Sequence, residues 1–262
     1  MSDGKYAFEK SKIIQGDCLE KMKLIPDGSI DAIITDIPYG TTACKWDVII
    51  PFEPMWKELN RIIKPKGAIL LFGSEPFSSA LRCSNLKQYK YDWIWNKKIG
   101  SNFASASRMP LKVTEIISVF GGCNYYPIKT KGKMREKGGG KQFVGVYGDK
   151  QKDKITESYW SDEYHPTNII EIGNAKRKGK QHPTQKPVEL LEYLITTYTK
   201  EGEIVLDFTA GSGTTGEACI NLNRDFILIE KEPNYYEVIK ERVGKIFKNY
   251  GLDLQPLLDE RM

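Results

Sequence analysis

At positions 35 to 40 the chain reads Thr35-Asp36-Ile37-Pro38-Tyr39-Gly40, directly after the apolar run Ile30-Asp31-Ala32-Ile33-Ile34. A short buried strand that ends this way presents a carboxylate, a backbone carbonyl and an aromatic ring at one point. Pro38 biases Ile37 toward an extended backbone, and β-branching stiffens the Ile37 side chain. By itself the tetrad also fits a plain strand followed by a turn. A second constellation stands far downstream, in Ile204-Val205-Leu206-Asp207-Phe208-Thr209-Ala210-Gly211-Ser212-Gly213-Thr214-Thr215-Gly216. Gly211, Gly213 and Gly216 satisfy G-x-G-x-x-G at a strand-to-helix turn, and Glu230 ends the next strand 19 positions after Gly211. Glycines there let the backbone pass close to a ligand, and an acid on the neighbouring strand tip can bind both hydroxyls of a ribose. The plainer alternative is a tight turn beside an ion-paired surface glutamate.

Charge narrows the choice of nucleoside. A dehydrogenase usually opens its fold with such a turn, whereas here it comes late in the chain. Asp207 would also place a carboxylate where a diphosphate must lie. S-adenosyl-L-methionine carries no phosphate but does carry an ammonium group and a sulfonium, so an acid suits it. This cofactor is the one the charges favour.

Strand and helix signals alternate through the elements that must position these groups. Strands are predicted at Ile13-Ile14, Ile30 to Thr35, Ala68 to Phe72, Tyr91 to Trp95, Val113 to Phe120, Asn168 to Ile172, Glu203 to Phe208 and Phe226 to Glu230. Helices are predicted from about Asp17 to Leu24, and over Phe52 to Ile63, Pro76 to Leu86, Pro187 to Tyr198, Thr214 to Leu222 and Pro233 to Phe247. In Pro187 to Tyr198, residues Val188, Leu191, Leu194, Ile195 and Tyr198 share one helical face, and Pro187 is placed for the first turn. Strands separated by helices predict a largely parallel α/β sheet. From Gly121 to about Tyr164, glycine, lysine and tyrosine dominate, and Gly138-Gly139-Gly140 fits no regular element. That region reads as an insertion that leaves the sheet and returns.

The 262 residues suffice for one substantial core, and 40% hydrophobic with 28% charged residues is ordinary globular composition. No run approaches the roughly 18 apolar residues of a membrane span. The start, MSDGKYAFEK, lacks the apolar stretch of a secretory signal. Cys18, Cys44, Cys83, Cys123 and Cys219 are odd in number and never spaced C-x-x-C, so reduced thiols in a cytoplasmic setting are expected. With His165 and His182 as the two histidines, no metal site is expected. The net charge of +5 is concentrated: Lys129 to Lys154 holds nine basic and three acidic residues, leaving −1 for the rest. Such a segment suits phosphates, although a solvated loop would have the same composition.

With Asp36-Ile37-Pro38-Tyr39 on one strand tip and Asp207 to Thr215 on another, the sequence resembles the DNA amino-methyltransferases. More narrowly it is similar to the beta group, in which the catalytic motif precedes the target-recognition region and the cofactor motif comes last. Three further stretches carry the resemblance: Gly16-Asp17-Cys18-Leu19, Thr114-Glu115-Ile116-Ile117-Ser118-Val119-Phe120 and His182-Pro183-Thr184-Gln185-Lys186-Pro187. It spans roughly Ile13 to Glu241, and the ordered set is far more specific than any one motif. Two positions depart from the family pattern. Ile37 stands where a first proline is usual, and Asp207-Phe208-Thr209 replaces the usual Asp-Pro-Phe.

The resemblance implies a Rossmann-like, S-adenosyl-L-methionine-dependent methyltransferase sheet with helices on both faces and an inserted basic target-recognition region. The chain then divides into a catalytic part at 1–101, the insertion at about 102–165 and a cofactor-binding part of the same domain at 166–262. The implied catalytic residues are Asp36, Ile37, Pro38 and Tyr39. Asp17, His182, Thr184, Gln185, Lys186, Asp207, Phe208, Thr209, Gly211, Ser212, Gly213, Thr214, Thr215 and Glu230 would bind the cofactor. Lys129, Lys131, Lys133, Arg135, Lys137 and Lys141 would hold DNA phosphates, with Gln142, Asn124, Arg135 or Arg108 reading bases. Tyr125, Tyr126, Phe143, Tyr147, Tyr159 and Trp160 could stack on the vacated position or form a small local core. The expected reaction is methylation of the exocyclic amino group of a base flipped from double-stranded DNA. Adenine N6 is preferred, because Asp in the first motif position accompanies adenine in most of the family. Cytosine N4 is the alternative, as is a catalytically silent DNA-binding relative; an RNA or small-molecule methyltransferase explains the glycines but not the basic insertion. A cognate restriction endonuclease is a partner the resemblance allows, as are a monomer and a homodimer.

Overall fold

The computed structural model describes residues 8–40, 47–139, 157–174 and 185–258. Its organising element is β2 (Ile30–Thr35), buried along its whole length. A strand buried at every position needs cover on both faces, and it has it. Ala32 and Ile34 join one apolar core and Ile33 joins another. The first core also contains residues of α4 (Val188–Tyr198), α5 (Thr214–Asn221) and α6 (Pro233–Tyr250). The second contains residues of α1 (Cys18–Lys21), α2 (Phe52–Ile62) and α3 (Phe77–Ser84). Helices therefore lie on both faces of one sheet.

That sheet has eight strands: β1 (Lys12–Gln15), β10 (Asp225–Glu230), β9 (Ile204–Asp207), β2, β3 (Ile63–Gly73), β5 (Lys112–Gly121), β4 (Tyr89–Ser101) and β8 (Ile169–Glu171), in that order. All neighbours are parallel except that β5 runs against both β3 and β4. From β2 the chain builds outward on one side through β3 and β4, and β5 then comes back antiparallel between them. It then returns through α4 to place β9 on the other side, pairing Ala32 with Val205 and Ile33 with Leu206. Where the strand order reverses in this way, the crevice at the strand C-termini is open to a ligand. Both constellations identified in the sequence, Asp36–Tyr39 and Asp207–Thr215, emerge at that crevice. Buried Asp31 helps to set the register, accepting from Lys64 Nζ at 2.6 Å and from the Ile204 amide at 3.0 Å.

By contacts the chain divides into two units, one formed by residues up to Tyr126 together with those from Asn168 onward, the other by Pro127–Thr167. In the smaller unit β6 (Thr130–Lys137) pairs antiparallel with β7 (Tyr159–Tyr164). The sequence reading placed no strand there, since a lysine-rich run without apolar alternation carries no strand signal. Residues 102–126, including β5, fold with the larger unit. Strand β3 exceeds its predicted length because Ile63 already pairs with Ile30, ahead of an irregularity after which pairing resumes at Ala68, and β4 because its pairing with β5 runs on into polar residues such as Asn96 and Ser101. No helix among the described residues is long and apolar enough to cross a membrane.

Tyr198, fully buried on α4, fastens the far half of the sheet. Its hydroxyl accepts from Trp93 Nε1 at 2.6 Å and bonds the Tyr91 hydroxyl at 3.0 Å. Tyr198→Phe should therefore strand the buried Trp93 indole N–H and lower the unfolding free energy by about 1–3 kcal/mol. Urea denaturation of both proteins measures this, and an unchanged midpoint would remove Tyr198 from that role.

Candidate functional site

The crevice is a cavity of about 330 Å³, within the range of small-molecule sites. It is lined by Asp17, Asp36 to Tyr39, Gln185, Lys186, Asp207 to Thr209, Gly211, Ser212, Thr214, Thr215 and Glu230, all expected from the sequence. Gly213 lies just behind, at φ +74° as the N-cap of α5, where a Cβ would stand 3.1 Å from the Ile239 side chain. His182, Thr184 and Lys141 fall outside the described residues.

Asp207, at the tip of β9, does not simply face the cavity. Its Oδ1 accepts from Thr35 Oγ1 at 2.6 Å and from the Thr209 amide at 3.2 Å, and its Oδ2 accepts from Thr215 Oγ1 at 2.5 Å. Thr209 Oγ1 in turn donates to the Asp36 carbonyl at 3.1 Å. One buried carboxylate thereby ties the end of β2, the end of β9 and the first turn of α5 together. Burial pushes its pKa up to about 6, against those hydrogen bonds. Phe208 packs inward at 1% exposure, in the same core as Ile37.

The catalytic-motif groups are held from several sides. Asp36 Oδ1 accepts from the Tyr39 hydroxyl and Oδ2 from Lys186 Nζ, each at 2.5 Å. The Tyr39 ring leans on Phe77 with centroids 5.2 Å apart. Ile37 is buried, and no described residue donates to its carbonyl. Lys186 also pairs with Glu115 Oε2 at 3.3 Å, and Glu115 Oε1 with Lys97 Nζ at 3.1 Å. Burial raises the Asp36 pKa, Lys186 opposes it and Glu115 adds to it. Burial opposes the charge on Glu115, but Lys186 and Lys97 outweigh it and hold its carboxyl below the usual range.

On the cofactor side, Glu230 is 8% exposed at the tip of β10. It accepts from the Gly211 amide at 2.7 Å and the Glu232 amide at 2.8 Å. Asp17 caps α1 through the Leu19 amide at 3.0 Å and meets Lys231 at 3.2 Å. Arg242 joins Gln185 to the glycine turn, donating to Gln185 Oε1 at 3.2 Å, to the Ser212 carbonyl at 2.7 Å and to Glu217. Six acids (Asp17, Asp36, Asp47, Asp207, Glu230, Glu232) and two lysines (Lys186, Lys231) line the cavity. Such a lining fits a phosphate-free, cationic nucleoside and disfavours a diphosphate. The sequence reading missed Thr35, Glu115, Lys97 and Arg242, since a lone charge on a strand or helix looks like a solvated face.

In the smaller unit Lys131, Lys133 and Arg135 are exposed on β6. Lys129 pairs with Glu163 at 2.8 Å, and Lys137 Nζ sits 4.1 Å from the Tyr164 ring centroid. Tyr159 and Trp160 are exposed, whereas Tyr125 contacts Tyr198 in the larger unit.

The Asp207 carboxyl gives a pH test. Its folded pKa of about 6 exceeds the ordinary 3.8, so in that window the unfolded chain has released a proton that the folded one keeps. Stability then falls as pH rises through the window. Relative to Asp207→Asn, wild type should lose about 2 kcal/mol between about pH 4.5 and about pH 7.5. Urea titrations at several pH values check this, and a flat difference would mean an ordinary carboxyl.

A DNA methylase family profile, N6_N4_Mtase, matches residues 30–241. Type II methyltransferase M.HinfI of Haemophilus influenzae is 30% identical over 263 residues, covering 90% of this chain and 69% of that one. DNA adenine methyltransferase YhdJ of Escherichia coli (strain K12) is 28% identical over 250 residues, covering 89% and 83%. Among solved structures, PvuII DNA methyltransferase (cytosine-N4-specific) superposes with TM-score 0.62 at 17% identity, covering 99% of each chain. The M1.HpyAVI–SAM complex superposes with TM-score 0.58 at 24% identity, covering 88% of this chain and 98% of that one. Motifs, topology and relatives agree: the chain belongs to the DNA methylase family that modifies adenine N6 or cytosine N4 with S-adenosyl-L-methionine as methyl donor.

Proposed function

We propose that this chain methylates the N6 amino group of an adenine flipped out of duplex DNA. The observation that carries the reading is the juxtaposition at the β2 tip: the Asp36 carboxylate and the Ile37 carbonyl, which takes no hydrogen bond from the described residues, stand together on the wall of an acid-lined cavity. An exocyclic amino nitrogen is a weak nucleophile because its lone pair is delocalised into the ring. Two acceptors taking its two hydrogens draw it toward tetrahedral geometry and stabilise the positive charge that develops. Asp36 and Ile37 supply those acceptors. Tyr39 supplies the stacking surface for a base that cannot be reached inside the helix. S-adenosyl-L-methionine supplies the methyl group. Glu230 is placed to bind its ribose, and the acids around the cavity balance its cationic end.

Adenine rather than cytosine is supported by Asp in the first motif position and by the adenine-specific relative YhdJ; the PvuII likeness keeps cytosine N4 as the alternative. Within the stretch at about 102–165, the part that folds as a separate unit, Pro127–Thr167, is the proposed target-recognition region, with Lys129, Lys131, Lys133, Arg135, Lys137 and Lys141 on phosphates. An endonuclease partner, a monomeric or dimeric state and a cytoplasmic location remain part of this proposal.

Transfer from labelled cofactor to duplex DNA, with digestion to nucleosides, should yield N6-methyladenine, while RNA stays unlabelled. N4-methylcytosine would replace the adenine assignment, and salt-sensitive binding without transfer would leave a silent relative. Asp36→Ala should lower turnover by roughly 10²–10³-fold with the fold intact by circular dichroism. Ile37→Pro keeps the carbonyl and should change turnover a few-fold while lowering the unfolding temperature, since Ile37 is packed in the core. Lys131→Ala and Lys133→Ala should each weaken binding for all DNA sequences and reduce the salt slope by about one unit. An unchanged slope would take these lysines off the phosphates.

A further inference from the structure

The Lys186 ammonium is shared between two carboxylates, Asp36 Oδ2 at 2.5 Å and Glu115 Oε2 at 3.3 Å. All three side chains are largely buried, at 10%, 23% and 18% exposure. Glu115 Oε2 has no hydrogen-bond partner among the described residues although it is buried. Everything else around the ammonium is committed. Tyr39 closes Asp36 Oδ1, Lys97 holds Glu115 Oε1, and the Phe72 ring faces Lys186 at 5.1 Å. Glu115 Oε2 thus meets the ammonium as the longer, less well aligned of two ion pairs, with capacity to accept a full hydrogen bond from it.

We propose that Glu115 is a positioning residue of the reaction, receiving the Lys186 ammonium when Asp36 gives its charge to the substrate amino group. This rests on the amino-clamp reading above. Methyl transfer forms an N–C bond as the donor's S–C bond breaks, and the nitrogen is left cationic with a surplus proton. Asp36 then takes that proton, its O–H bond forming as the N–H bond breaks to leave a neutral methylamino group, and its charge is lost to Lys186. A buried ammonium without an anion is strongly unfavourable, and removing one member of a buried pair leaves that situation. Glu115 prevents it, because Lys186 needs to move by under an ångström or so to be fully paired again. The cluster of Asp36, Glu115, Lys186 and Lys97 carries two charges of each sign, so the exchange adds no net charge. Burial works against the charge on Lys186, yet the two carboxylates together raise its pKa.

Two readouts test this. Single-turnover methyl transfer by Glu115→Gln should fall about 10-fold or more, with KM for DNA and for cofactor within about two-fold of wild type. Glu115→Asp should recover most of the rate. In a Lys186→Met background, Glu115→Gln should cost less than about two-fold further, since the coupling runs through Lys186. A loss carried by KM, or an equal loss in both backgrounds, would overturn the proposal. The second readout needs no turnover: the Lys186 Nζ titration followed by ¹⁵N NMR. Asp36→Asn should leave Lys186 charged, and adding Glu115→Gln should lower its midpoint by about one unit or more. A midpoint indifferent to Glu115 overturns the proposal. A wild type that methylates no DNA defeats the functional reading instead, and the two failures are told apart by the same protein samples.

Discussion

The Asp207 carboxylate takes three hydrogen bonds, and through them the site exists as one object. Thr35 belongs to the strand that delivers the catalytic tetrad, Thr215 to the helix that follows the glycine turn, and Thr209 to the loop between. Without a shared acceptor these segments would be neighbours by sheet order alone. With it, the Asp36 carbonyl and the glycine turn are held together by groups that are themselves part of the cavity wall. The arrangement is costly, because a buried carboxylate resists ionisation. Its hydrogen bonds offset the desolvation only in part, which is why the group titrates near neutrality rather than near 4.

Charge is divided between the two units in opposite senses. The cavity wall is acidic, as suits a sulfonium and an ammonium, whereas β6 is basic, as suits a polyanion. A single net charge for the chain conceals this division. The same logic operates at smaller scale beside Asp36, where one ammonium serves two carboxylates and a second ammonium completes the balance. Local neutrality would let Asp36, in the proposed role, change partners without exposing a bare charge.

Much of this was legible in the sequence. Apolar runs such as Ile30 to Ile34 and Val205-Leu206 marked strands covered on both faces. The glycine turn, with Asp207 before it and Glu230 after it, marked one wall of the cavity, and the order of motifs marked the family. What could not be read lies where one residue acts through distant partners. Glu115 and Lys97 look like solvent-facing charges on β5 and β4 until the sheet sets them beside Lys186. Arg242 looks like any helix-surface arginine until it is seen to bridge Gln185 and Ser212. The β6–β7 pair was missed because its strands have no apolar face and hold together by backbone pairing, Tyr164 and ion pairs. Asp207 was expected to meet a ligand, yet its oxygens are mostly engaged with the protein.

The adjacency of β2 and β9 also has a kinetic side. Thr35 and Asp207 are 172 positions apart in the chain, so the contact that completes the site is among the most non-local in the molecule. Closing so long a loop is entropically expensive and is repaid only when both strands are already in place. A growing chain carries Asp36, Ile37 and Tyr39 out of the ribosome long before β9 is made, and during that interval the proposed amino clamp has no β9 wall beside it. The reactive centre is thus one of the last things this protein can build. A chain truncated before Thr215 would keep Asp36 and lose one of the three donors that hold Asp207.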